Sequence, residues 1–159
     1  MYLNAMEFLE EEREAWRPFE ALGAVPDDRL DVPVAGAHGW SARDLIGHLV
    51  AWQEWALAVA KDLALGEVSP TIPRLDALWA ERGDAMNDDI QAEWRALPIE
   101  EIKRRMATVP GELRGYLTVV PESRWVKHPT NLQTFIDETM NHYADHASDL
   151  DAILAAAAG

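Results

Sequence analysis

Apolar residues along this chain recur at intervals of three and four, and hardly anywhere at intervals of two, which restricts the fold to packed helices. The clearest stretch is the last. Leu132, Phe135, Thr139, His142, His146, Leu150 and Ile153 share one stripe of a helix predicted from Thr130 to about Leu154, and Thr130-Asn-Leu-Gln133 has the form of a capping box at its start. A first helix is expected from Asn4 to Leu22, with Met6, Leu9, Trp16 and Phe19 inward and Gly23 as its stop. Residues 24–40 carry Pro26, Pro33, Gly36 and Gly39 and read as a loop. Ser41-Ala-Arg-Asp44 then caps a second helix running to about Leu65, with Asp44 suited to the positive helix end. Pro73 fits the first turn of a third helix reaching about Ala96, which Gly83 interrupts. Pro98 starts a fourth, Ile99 to about Val120, in which Pro110-Gly111 predicts a kink or break. Four long helices and one additional helical segment, without repeats or low-complexity linkers, fit an all-α antiparallel bundle.

A length of 159 residues is close to that of one typical domain, so residues 1–159 read as a single unit. The net charge of −14 repels a phosphate backbone, which excludes nucleic acid as a partner. Cysteine is absent, and with it disulfides, thiolate metal ligands and a cysteine nucleophile. The acidic, amphipathic N-terminal stretch is unlike a signal peptide, and no apolar run is long enough to span a bilayer. No membrane partner and a cytoplasmic location are therefore expected.

Chemistry is left to carboxylates, hydroxyls, imidazoles and seven tryptophans. His38 and His128 adjoin Gly39 and Pro129 and are expected in solvated loops. His142 and His146 lie four apart on the inward stripe of the last helix, so their rings can converge on one ion. On the second helix the inward stripe reads Leu45, His48, Trp52, Trp55 and Val59, which brings a third imidazole inside. Two readings stay open on phase alone: three hydrogen-bonded core histidines, or a metal site. Three protein nitrogens leave an open place on Zn²⁺, as in catalytic centres, and a His-rich set also suits Ni²⁺. Glu138, Asp149 and Asp44 stand at spacings from which each could orient a ring, and equally suit solvated helix faces. Trp52 and Trp55 follow His48 on its own stripe and are expected either as pocket walls or as plain core. No phosphate-binding glycine loop, nucleophile elbow or Glu-x-x-His pair is present, and no general base stands out.

At these positions the chain resembles a known family. Gly39-Trp-Ser-Ala-Arg-Asp-Leu-Ile-Gly-His-Leu-Val-Ala-Trp52 is similar to the signature opening the second helix of the DinB/YfiT-like superfamily, and Asn141-His-Tyr-Ala-Asp-His146 to that of its last helix. Residues 86–101 resemble a stretch of the ClbS/DfsB-like branch. The resemblance implies a four-helix bundle of up-down-down-up topology, commonly dimeric, with His48, His142 and His146 holding a divalent metal. It also implies thiol-dependent transferase, isomerase or metal-dependent hydrolase chemistry. The expectation is a metalloenzyme acting on a small electrophilic compound, in detoxification or self-protection. The alternatives are a small-molecule-binding protein that uses the tryptophan pocket, and an inert dimeric bundle.

Overall fold

Helix α1 (Ala5–Trp16) opens on Asn4, whose side-chain oxygen accepts from the Glu7 amide at 3.0 Å. It gives way to a 3₁₀ stretch, Arg17–Ala24, where Pro18 supplies no amide proton to continue an α-helix. The computed structural model, which describes residues 1–159, continues with α2 (Ala42–Leu65), α3 (Thr71–Arg82), α4 (Ala85–Ala96) and α5 (Ile99–Val119). After α5 come α6 (Pro129–Ile136), a π-helical turn (Asp137–Asn141), α7 (His142–Asp145) and α8 (Ala147–Ala158).

The core divides along the length of α2. Beside its start, Leu45 and Leu49 cluster with Trp16, Trp94, Ile102, Tyr143, Leu150 and Ile153. Beside its end, Leu57 and Leu63 cluster with Phe8, Leu113, Leu117, Trp125, Leu132 and Phe135. These memberships fix the helix directions. Helix α5 runs parallel to α2: Arg43 near the start of α2 donates to the Leu97 carbonyl at 2.7 Å, and Arg124, just beyond α5, donates to that of Leu63 at 3.1 Å. Both α1 and the α6–α8 path run the other way, from the Leu63 end to the Leu45 end. The result is the expected up-down-down-up helical bundle, with α3 and α4 as the additional segment.

Several local expectations are corrected. Met6 is 59% exposed; Phe8, Glu12 and Trp16, four apart, face inward with Leu9. The interruption expected at Gly83 is a complete break into two helices, and the φ of 50° there is left-handed and costs a glycine little. Helix α5 runs unbroken through Pro110, because Met106, Val109, Leu113 and Leu117 form a buried face on both sides of the missing bond. The capping box at Thr130 does not form. His128 caps α6 instead, its Nδ1 accepting from the Asn131 amide at 3.2 Å, with Pro129 in the first helical position. The last helix is not continuous, and its two interruptions lie at the histidines.

Candidate metal centre

Three separate pieces of local structure bring the histidines together. The first is α2, where the Ser41 hydroxyl accepts from the Asp44 amide while Asp44 accepts from the Ser41 amide at 3.0 Å. This capping box starts the helix one turn before His48, which is buried. Asp44 is thereby occupied and does not orient His48; its other contacts are to Arg95 at 2.9 and 3.0 Å. Burial pushes its carboxyl up, but the bonds from Arg95 and Ser41 outweigh that and hold it below the usual carboxylate range.

The second piece is the π turn ahead of His142. A π turn accommodates more residues per turn than an α-helix, so it advances the inward face, and Thr139, His142 and Tyr143 all point into the bundle. The third is His146 itself, which sits between α7 and α8 with φ −110° and ψ 10°, the sparsely populated bridge conformation. Its Nδ1 lies 2.9 Å from Asp149 Oδ2, and the other oxygen of Asp149 lies 3.0 Å from Nδ1 of His38. A carboxylate only accepts, so Nδ1 of His146 carries the proton and Nε2 keeps the lone pair. His38 is thus an exposed loop residue as expected, yet it is tied to the same buried carboxylate.

One ligand nitrogen from each of His48, His142 and His146 lies within 4.8 Å of the other two. The ring centroid of His48 is 4.9 Å from that of His142 and 4.7 Å from that of His146. Burial, then the neighbouring rings, push His48 down to about 3. Burial, then His146, bring His142 to about 4. Both are therefore neutral at pH 7, the form that ligates. Nδ1 of His142 is buried without a hydrogen-bond partner, so the reading as a fully bonded core histidine fails there. A donor set of three imidazoles, one with an orphaned nitrogen, fits a divalent late transition metal.

Two tryptophans frame the triad. The loop before α2 folds back through left-handed His38 (φ 58°) and Gly39 (φ 82°), and Val34 N–H donates to the Trp40 carbonyl at 3.0 Å. That turn lays Trp40 on His146, centroids 5.4 Å apart and nearly parallel, and edge-on to His48 at 5.0 Å. On the other side Trp52 lies 5.6 Å from His142 and donates its Nε1–H to Asn87 at 3.1 Å. Trp52, Trp79, Asp76, Asn87, Glu138 and His142 line a cavity of about 370 Å³. Trp55 does not line it; it packs against the small cluster of Trp52, Leu75 and Met86, with its ring 5.7 Å from the Arg74 guanidinium. Glu138 does not orient His142: its Oε2 is buried without a partner, and burial, then Asp137 and Asp76, push its carboxyl up to about 8.

The sequence reading overlooked Trp40, Trp79 and Asn87. Trp40 lies in a loop whose path no periodicity specifies, although its place just before a helix cap, eight residues from His48, was visible. Trp79 and Asn87 sit on either side of the Gly83 break, so their meeting depends on the angle between two short helices.

The family model of the mycothiol maleylpyruvate isomerase N-terminal domain matches residues 10–150. Neither the curated proteins nor the solved structures contain a match. The matched span includes α2, the π turn and all three ring-bearing positions, and so takes in the site together with the scaffold that assembles it. On that match the chain belongs to the mycothiol maleylpyruvate isomerase N-terminal domain family, a DinB/YfiT-like family of metal-binding helical bundles.

Proposed function

We propose that this protein is a metal-dependent enzyme in which His48, His142 and His146 hold one divalent ion, Zn²⁺ or Ni²⁺, beside a cavity that admits a small electrophilic compound. The observation that carries this reading is the convergence of three imidazoles from two helical paths, one with a buried unpaired nitrogen. A divalent ion in that place supplies Lewis acidity and lowers the pKa of a water or thiol in its open position. Asp149 fixes the tautomer of His146, and Trp40 covers two of the rings from solvent. Trp52 and His142 meet at the wall where the compound would enter. The family's name joins a thiol to an isomerase, which favours a thiol as co-reactant over simple hydrolysis.

The reading also includes a cytoplasmic homodimer acting in detoxification or self-protection. No helix is long and apolar enough to cross a membrane. A light-scattering mass of twice the 17.8 kDa chain would support the dimer, and the single-chain mass would remove it.

His142→Ala tests the centre. Native protein purified without chelator is expected to contain about one metal ion per chain by elemental analysis, and the variant close to none. Turnover should vanish with the metal while helical circular dichroism persists. Full metal content in the variant would refute the assignment.

A further inference from the structure

We propose that the cavity beside the triad selects a ligand carrying an organic ammonium group, so that the substrate is a small molecule with a cationic end. This deepens the reading above, since it takes that cavity as the place where substrate meets the ion. Two indoles, Trp52 and Trp79, meet in the wall with centroids 5.9 Å apart and planes at 73°. Indole faces attract a desolvated cation more strongly than any other side-chain ring. Asp76 supplies the negative charge of the lining, Glu138 adds a second carboxyl whose proton a neighbouring cation would displace, and no lysine or arginine lines the cavity. Asn87 is uncharged, and its side-chain oxygen takes the Trp52 N–H.

Glu138 gives an independent indication. Its Oε2 is an enclosed acceptor with no donor, an arrangement that is costly unless a ligand completes it. An N–C–H or N–H face of an ammonium group brings the positive charge that the two carboxyls lack. Maleylpyruvate, the acid in the family's name, would set its own negative charge against Asp76. The cavity volume of about 370 Å³ lies in the range of small-molecule sites.

Benzyltrimethylammonium is a decisive probe because its nitrogen has no lone pair and cannot ligate a metal. Its binding to the purified protein would be followed by the indole N–H signals in ¹⁵N-resolved spectra, with benzyl alcohol and benzoate as neutral and anionic counterparts. The expected result is saturable shifts of the Trp52 and Trp79 signals, with the cation at least about tenfold tighter than the alcohol and no saturation by benzoate. Glu138→Gln combined with Asp76→Asn should weaken the cation by about tenfold or more and leave the alcohol unchanged. If the double variant does not fold, Asp76→Asn alone, at an exposed side chain, should still weaken the cation several-fold. Benzoate binding as tightly as the cation, or variants binding it undiminished, would overturn the proposal. Metal content measured on the same samples separates the two ideas. Loss of cation preference with metal retained removes only the ligand class, and cation preference in a parent protein that neither contains nor takes up metal removes only the enzyme.

Discussion

Asp149 serves two imidazoles at once, and a single charge in that position has consequences that a helix-face acid would not. It is buried, its two oxygens are taken by His146 and His38, and it stands in the first turn of α8, where the helix end favours an anion. Asp149→Asn keeps the shape but replaces one acceptor oxygen with an NH₂ group, which cannot receive both ring protons. Metal affinity is expected to fall by about 10–100-fold, read by competition with a chromophoric chelator, with helical content unchanged. An unchanged affinity would show that Trp40 stacking alone positions His146. Glu138 makes a second residue-scale prediction through pH. Its folded value of about 8, raised chiefly by burial, stands above the unfolded 4.5. Below pH 4.5 both states hold the proton. Between 4.5 and 8 the unfolded chain releases it while the folded chain keeps it, so this residue's contribution to stability falls as pH rises, and levels off above 8. Glu138→Gln cannot ionise. Its thermal midpoint, relative to the parent protein, should therefore climb between pH 5 and pH 8 and climb no further above about pH 9, as monitored by circular dichroism.

Helix α2 is the element on which the site depends, and a close approach to Trp94 lies one residue before His48. A Cβ built on Gly47 would stand 2.6 Å from Cγ of Trp94, whose ring is buried between α2 and α5. Gly47→Ala should push α4 outward and cost about 1–3 kcal/mol in urea unfolding, with a shift in tryptophan fluorescence reporting the displaced ring. That α2 and α5 would form was legible from their three-and-four spacing, and Ser41 and Asp44 marked where α2 begins. The inward phase of His48, His142 and His146 was legible too, since two long apolar stripes leave little choice of face. What the pattern could not carry was irregularity. A π turn at Asp137–Asn141 inserts an offset that a regular period averages away, so Tyr143 goes unseen as a core residue beside His142. Met6 misled for a related reason: at the start of a chain too few turns precede it to distinguish its face from that of Phe8. The pocket wall depended on how two short helices meet across Gly83, a tertiary angle with no local signal, and hence Trp79 was missed while Trp55 was expected.

At the scale of the whole molecule, one buried polar network ties the bundle together next to the site. Tyr143 donates its hydroxyl to Glu12 Oε1 on α1 at 2.8 Å and accepts from Gln53 on α2 at 2.8 Å, and Arg114 on α5 reaches Glu12 Oε2 at 3.2 Å. The hydroxyl therefore joins α7 to both neighbouring directions of the bundle, and its residue follows His142 directly. Burial pushes the carboxyl of Glu12 up against the opposing pull of Arg114, so this group depends on each bond it makes. Tyr143→Phe fills the same volume yet leaves an enclosed carboxylate oxygen without its donor and Gln53 without its acceptor. Oε1 of Gln53 already lacks a partner, so that side chain would be left with no hydrogen bond in the network. A loss of about 1–3 kcal/mol is expected in urea unfolding, with native helical content retained. Because the network grips α7 rather than the ring nitrogens, metal affinity should fall much less in Tyr143→Phe than in Asp149→Asn. The reverse order, a stable variant with collapsed affinity, would mean that the hydroxyl acts on the site directly and that the bundle holds its shape by apolar packing alone.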